Sequence, residues 1–263
     1  MRRMHSLPTK IGLIVAAALL IAPGVVSAAD KQGEEYHRDY IYGVPENPTE
    51  AWILSSGGRL YDNWISALDA EKPPATHPAW PASNTKHEGA STWRCKSCHG
   101  WDLRGKDGAY GTGSYKTGIG GVGAWAGKDP EEIHKVLMNS THGFTHDMIP
   151  PDAMLRIAAF VSRGQADVAA YIGMDKSVKG NAERGAAKFQ TICASCHGFD
   201  GKAMDWGDAD APGFVGTEAN ANPWEVLHKI RFGHPGVEMV SMAAFPLEEA
   251  IDILAYAKTL PVK

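Results

Sequence analysis

The amino-acid sequence predicts an all-α protein built from two similar helical halves. A Cys-x-x-Cys-His unit occurs at residues 95–99 and again at residues 193–197. Downstream of each unit, "EEIHKVL" at residues 131–137 matches "EVLHKIR" at residues 225–231. Each half then closes with a segment whose apolar residues recur at helical spacing. A repeat with this order of elements predicts two tandem helical units.

The N-terminal residues have the pattern of a secretory signal. Arg2, Arg3 and Lys10 precede an apolar run at residues 11–22, and small residues follow up to Ala29. That run has twelve residues, whereas a membrane-spanning helix needs about 20. We therefore expect residues 1–29 to be cleaved and the mature protein to lie in the periplasm.

Composition and charge exclude some classes of partner. The chain has 263 residues, of which 44% are hydrophobic and 21% charged, as in ordinary globular proteins. Cleavage of the signal would remove three of 26 basic residues and none of the 30 acidic ones. The mature protein is therefore acidic, which argues against nucleic acid as a partner.

The segments before the two motifs are similar, but only the second is uninterrupted. "ERGAAKFQTICASCHG" at residues 183–198 predicts a helix that runs into the second motif, with Gly185 and Phe189 on one face. "GGRLYDNW" at residues 57–64 offers Gly57 and, four residues on, Tyr61. Thirty residues then separate it from Cys95. The first half therefore carries an insertion.

The closing helices begin at prolines. "PDAMLRIAAFVSRG" starts at Pro151 and "PLEEAIDILAYAKTLP" at Pro246, where proline is tolerated because the first helical N–H groups have no partner within the helix. Their predicted buried stripes are Met154, Ile157, Ala158 and Val161 in the first and Leu247, Ile251, Leu254 and Ala257 in the second.

The four cysteines all belong to the two motifs. In a helical turn, Cys95, Cys98 and His99 project from one face, and Cys193, Cys196 and His197 do the same. This is the attachment motif of c-type haem, in which two thiols form thioethers and the histidine binds iron. The sequence thus predicts two covalently bound haem c groups.

Two other uses of the cysteines compete with haem. Zinc ribbons usually separate their cysteine pairs by about 15–20 residues, whereas 94 residues lie between Cys98 and Cys193. A thioredoxin-like redox pair requires a neighbouring strand and helix, and neither motif has a strand pattern beside it. Haem is the favoured ligand.

The order of motifs and helices in each half resembles that of class I cytochrome c, so the chain resembles two such domains in tandem. The resemblance rests on a helix with Gly and an aromatic residue, C-x-x-C-H, a methionine-containing loop and a terminal helix. It implies an α-helical fold around each haem and electron transfer as the function. We expect a first domain with insertions at residues 30–165, a linker at 166–180 and a second domain at 181–263.

The resemblance implies His99 and His197 as proximal ligands and methionines as distal ligands. "RFGHPGVEMVSM" is similar to the family's methionine loop, so we predict Met239 for the second haem, with Met242 as its competitor. In "THGFTHDMIPP" we predict Met148 for the first haem. His142 and His146 are the rival ligands there, and either would make a bis-histidine haem.

These predictions favour an electron-transfer protein over an enzyme. It would pass electrons between a protein donor and a protein acceptor, as a soluble carrier or as the haem subunit of an oxidoreductase complex associated with a respiratory membrane. The alternative is a dihaem enzyme, similar to thiosulfate dehydrogenases or peroxidases, with one catalytic and one relay haem. A net positive stretch at residues 94–106 and a net negative one at 200–210 suggest two different docking partners.

Overall fold

The structure, a computed structural model, describes residues 44–208 and 210–263. Helices and long loops make up these residues, which contain two isolated β-bridges and no β-strand. The all-α prediction is therefore confirmed for the described part of the chain. Within it, no helix combines the length and the apolar composition needed to cross a membrane. The expected signal peptide, residues 1–29, lies outside the described residues.

The helices fall into two groups along the sequence. The first group is α1 (Glu50–Ala67), α2 (Cys95–His99), α3 (Pro130–Leu137) and α4 (Pro151–Arg163). The second is α5 (Ala182–Lys188), α6 (Ala194–His197), α7 (Val215–Ala221), α8 (Pro223–Phe232) and α9 (Leu247–Ala257). Short 3₁₀ turns occupy Gly89–Trp93, Ala109–Gly111, Gly123–Trp125 and Val168–Ala170.

The predicted helix before the second motif is interrupted. Between α5 and α6, residues Phe189–Cys193 form one π-helical turn, and the N–H of Ala194 donates to the carbonyl of Phe189. Such a turn inserts one extra residue and rotates everything after it about the helix axis. The wide turn therefore sets the direction in which the second Cys-x-x-Cys-His unit projects.

Equivalent helices in the two halves begin in the same way. The Asp129 carboxylate accepts the N–H of Glu131 (3.0 Å) at the start of α3, and Asn222 accepts the N–H of Glu225 (3.4 Å) at the start of α8. In each case the first helical residue is a proline, whose missing N–H would have had no partner. The shared start supports the repeat seen in the sequence.

The first and last helices of each half cross at a glycine. A Cβ atom on Gly57 would lie 2.1 Å from the carbonyl oxygen of Arg156, where α1 crosses α4. A Cβ atom on Gly185 would lie 1.9 Å from the carbonyl oxygen of Asp252, where α5 crosses α9. Only glycine permits so close an approach of two backbones. The paired glycines predicted from the sequence therefore have the same structural role.

Two hydrophobic cores lie under these crossings, and each takes residues from both halves. The first core surrounds Tyr61 and Trp64 of α1 and includes Phe232 of α8. The second surrounds α9 and includes Trp101 and Tyr110. The predicted stripes are buried in α4 and α9, except that Leu247 is partly exposed. The halves thus pack against each other through α1 and α8.

Candidate haem centres

The first Cys-x-x-Cys-His unit opens onto an apolar cavity of about 220 Å³. Cys95, Cys98 and His99 of α2 all line it, as the shared helical face predicts. The remaining wall is mainly hydrophobic and includes Trp93, Trp125, Ile133, Leu137, Phe144, Ile157 and Val161. A large apolar space with two thiols and an imidazole on one wall fits a haem attached through this motif.

His99 is oriented by a backbone hydrogen bond. Its Nδ1 lies 2.8 Å from the carbonyl oxygen of Gly120. Because a carbonyl only accepts, Nδ1 must carry the proton, which leaves the lone pair of the neutral ring on Nε2. Burial lowers the pKa of His99 and favours this neutral form. The ring is thus prepared to bind a metal through Nε2, as metal-binding histidines usually are.

The buried thiols of this unit are poor nucleophiles. Desolvation raises the pKa of Cys95 to about 12 and that of Cys98 to about 11. Reactive thiol–disulfide pairs instead have thiols with depressed pKa values. All four cysteines of the chain are free of disulfide bonds. The environment of the motif therefore does not favour the thioredoxin-like alternative.

The second unit opens onto a separate cavity of about 370 Å³. Cys193 and His197 line it, together with Phe189 and Ile253, whereas Cys196 is exposed and is not one of the lining residues. The Nδ1 atom of His197 is buried and has no hydrogen-bond partner among the described residues. Burial lowers the pKa of His197. The donor set and the apolar wall again fit a covalently attached haem.

The two cysteine pairs do not come together. Cys95 and Cys98 line one cavity and Cys193 lines another, so one tetrahedral site made of four thiolates is not formed. Among residues 44–208 and 210–263, no group of three or more His, Cys, Asp or Glu side chains could hold a metal ion. The zinc alternative therefore has no support in this structure.

In the first centre, the structure does not bring Met148 to the cavity that contains His99. Met148 instead lines a neighbouring cavity, beside Trp64 and Pro150. His146 is also elsewhere, with its Nε2 3.3 Å from that of His134. His142 does line the cavity of His99. The sequence identified His142 only as a rival, because spacing alone cannot distinguish neighbouring loop residues.

In the second centre, the structure brings Met239 to the cavity that contains His197. Its competitor Met242 is 5% exposed and packs in the second core, and it is not one of the residues that line the cavity. His234 lines the same cavity as Met239, although its Nδ1 lies 2.9 Å from the carbonyl oxygen of Pro235. His234 belongs to the same loop as Met239, but sequence reasoning did not single it out as a ligand.

A buried ion-pair network connects the walls of the two cavities. Asp62 of α1 is fully buried and pairs with Arg94 (2.5 Å), which lines the first cavity, and with Lys229 of α8, which lines the second. Although burial acts to raise the pKa of Asp62, the two cations outweigh it and the pKa is lowered. Sequence reasoning missed this network because its three members are distant along the chain.

The net positive stretch at residues 94–106 is not a free basic surface. Arg94 is paired with Asp62, and Lys96 is only 4% exposed, with its Nζ over the rings of Trp101 and Tyr115. Lys106 pairs with its exposed neighbour Asp107. Two of the four basic residues thus stabilise the interior, so this stretch does not support a basic docking site.

Comparison with known proteins agrees with this chemistry. Residues 180–256 match the family model described as cytochrome C oxidase, cbb3-type, subunit III. A cytochrome c-553-like protein of Synechocystis sp. is 31% identical over 97 residues, which cover 34% of this chain and 79% of that protein. No solved structure matches. Two cavities with haem-attachment motifs and these two similarities show that the chain belongs to the c-type cytochrome family.

Proposed function

We propose that this protein is a periplasmic dihaem cytochrome c that transfers electrons between redox partners, as a soluble carrier or as the haem subunit of an oxidoreductase complex. One observation carries the proposal: Cys95, Cys98 and His99 line one apolar cavity, and Cys193 and His197 line another. A single-haem cytochrome would need only one of them. The family membership supports electron transfer as the chemistry.

The cysteines, histidines and methionine of the two sites have different proposed roles in binding haem. Cys95 and Cys98 would form the thioethers of the first haem, and Cys193 and Cys196 those of the second. His99 and His197 would bind the irons from the proximal side, and Met239 would bind the second iron from the distal side. Bound haem iron supplies a one-electron couple. The apolar walls exclude water, which protects that couple from side reactions.

The contact between the halves supports electron exchange between the two centres. Asp62 ties Arg94 of the first cavity wall to Lys229 of the second, and Phe232 of α8 packs into the first core. A Cβ atom on Gly58 would lie 2.5 Å from Cγ of Phe232, so α1 and α8 pack closely. The two centres would therefore keep a fixed separation while electrons pass between them.

The domain organisation and location belong to the same proposal. Residues 1–29 would be a cleaved signal, residues 30–165 and 181–263 two cytochrome c domains, and residues 166–180 their linker. Fractionation of cells that express the full chain, followed by mass analysis, tests both points. Haem-stained protein in the periplasmic fraction, lacking its first 28 or 29 residues, is the expected result, and retention of the intact chain in membranes would contradict it.

A haem count tests the dihaem assignment. The alkaline pyridine spectrum of the purified protein should give two haems per chain, and the double variant Cys193→Ser/Cys196→Ser should retain one. The matched variant Cys95→Ser/Cys98→Ser should also retain one. A wild-type value of one haem would contradict the proposal. If the protein turned over small oxidants or sulfur compounds at a high-spin haem, it would instead be an enzyme.

A further inference from the structure

We infer that His142 is the sixth ligand of the first haem, so that the protein pairs one bis-histidine centre with one histidine–methionine centre. The inference deepens the proposed function and rests on it, because it requires that haem be attached at Cys95 and Cys98. It replaces Met148, which the sequence predicted, with a residue that lines the same cavity as His99.

The distance between the two imidazoles fits a shared metal. The ring centres of His99 and His142 are 6.2 Å apart, and both rings line the same cavity. Two imidazoles on opposite sides of a metal, each bonded at about 2.0–2.1 Å with its ring centre about 1.1 Å further away, have centres about 6.2–6.4 Å apart. The spacing therefore leaves room for one metal ion between the rings.

The contact of the His142 ring with Asn139 favours one tautomer. Its Nδ1 lies 3.3 Å from Oδ1 of Asn139, which also accepts the backbone N–H of His142 at 3.0 Å. An amide oxygen is an acceptor only, so Nδ1 carries the proton and Nε2 carries the lone pair. His99 reaches the same tautomer through Gly120. The contacts with Gly120 and Asn139 thus favour the lone pair on Nε2 in both rings, and a backbone hydrogen bond with Val136 also holds the His142 ring.

The backbone of His142 is held in place from the insertion of the first half. His77 Nδ1 accepts the N–H of Ala79 (3.1 Å), so His77 Nε2 is protonated and donates to the carbonyl oxygen of His142 (2.9 Å). His77 is 7% exposed and its ring packs edge-on against Trp93. The insertion therefore supplies a positioning residue for the loop that carries the proposed ligand.

The alternative ligands are held elsewhere. Met148 lines a different cavity and packs against the first core, and the N–H of Ile149 beside it donates to the carbonyl of Thr145 (3.0 Å). Ile149 is 1% exposed, so the segment is anchored next to Met148. His146 is paired with His134. Replacing His142 with either residue would require this loop to rearrange.

Spectroscopy of the oxidised wild-type protein tests the inference first. Methionine on ferric haem produces a weak far-red absorption band, and a bis-histidine haem does not. We expect the band at the intensity of one haem for two haems counted, together with two low-spin signals by electron paramagnetic resonance. A band of two-haem intensity would overturn the inference, while a haem count of one would instead overturn the proposed function.

Variants then assign the ligand. His142→Ala should convert one haem to a high-spin signal that added imidazole reverses, and His142→Met should double the far-red band. Met148→Leu and His146→Ala are matched controls from the same loop and should leave the spectrum unchanged. Loss of a low-spin haem in Met148→Leu would overturn the inference. The wild-type spectrum decides the question even if a variant fails to fold.

A positioning role for His77 has its own signature. His77→Gln keeps a side-chain donor and His77→Leu does not, so only His77→Leu should shift the low-spin signal of the first haem. The midpoint potential of that haem should move with the signal, because ligand orientation tunes the metal. Equal behaviour of the two variants would show that His77 does not position His142.

Discussion

Replacing Asp62 with asparagine tests the network that joins the two halves. Asp62 is fully buried, and the side chains of its partners Arg94 and Lys229 are 22% and 13% exposed. Asparagine keeps the size of the side chain but removes its charge, which leaves two cations close together in the interior. Removal of one member of a buried ion pair typically costs about 3–5 kcal/mol of stability, because the remaining charge stays desolvated.

The same range is expected here, since both cations lose their counterion at once. For a protein of this size, about 3–5 kcal/mol corresponds to a fall in Tm of about 6–20 °C. Calorimetry of the haem-loaded protein at neutral pH measures it. The matched control is Glu50→Gln, which breaks the exposed pair between Glu50 and Arg163. Exposed pairs contribute about 1 kcal/mol or less, so this variant should unfold near the wild-type temperature.

The effect of Asp62 should depend on pH in a defined direction. The folded protein holds the pKa of Asp62 below its ordinary value of 3.8, because Lys229 and Arg94 outweigh the opposing effect of burial. Its contribution is therefore fully present above pH 3.8 and is lost as the pH falls through the lower folded pKa. The wild-type and Asp62→Asn proteins should converge only in strong acid. Equal stability of the two proteins at pH 7 would refute the reasoning.

Three further predictions follow from the helix crossings, the second haem centre and α8. Gly185→Ala should destabilise the protein by about 1–3 kcal/mol or prevent folding, because the new Cβ atom would meet the carbonyl oxygen of Asp252. Gly123 has open space around it, so the control Gly123→Ala should leave the thermal unfolding temperature unchanged. Met239→Leu should abolish the far-red band of the second haem and Met242→Leu should retain it; the reverse result would make Met242 the ligand. Burial lowers the pKa of His228 from 6.5 to about 4, so between these pH values the unfolded chain binds more protons than the folded protein. The free energy of unfolding should therefore fall by up to about 1.4 kcal/mol for each pH unit of acidification in that range. His228→Gln should flatten that slope, and denaturant titrations at several pH values measure it; an unchanged slope would contradict the assignment.

Local sequence patterns predicted the helices and proposed most of the candidate haem-binding residues. The stripe from Met154 to Val161 is buried as the helical period requires, and Pro151 stands at the start of its helix. The spacing within the first Cys-x-x-Cys-His unit places its three side chains on one cavity wall, since positions i, i+3 and i+4 share a face of an α-helix. These features depend on residues within one or two helical turns of each other, so they can be predicted without knowledge of the tertiary structure.

The distal residue proposed for the first haem centre could not be predicted in this way. His142, His146 and Met148 lie within seven residues of one loop, where no backbone period specifies which side chain reaches the cavity. Contacts with His77 and Asn139 fix His142 in the wall, and the His77 contact spans 65 residues. The net positive stretch at residues 94–106 was interpreted as a docking surface for a similar reason. The sequence does not show that Lys96 is buried and that Arg94 pairs with Asp62.

By itself, the sequence determined that this is a helical c-type cytochrome chain with two haem-attachment motifs, because covalent attachment needs thiols and an imidazole at a fixed local spacing. Only the tertiary structure decided that the motifs line separate cavities, that Met239 and His142 lie in their walls, and that Asp62 joins the two sites. These are contacts between residues distant along the chain, and packing alone brings them together.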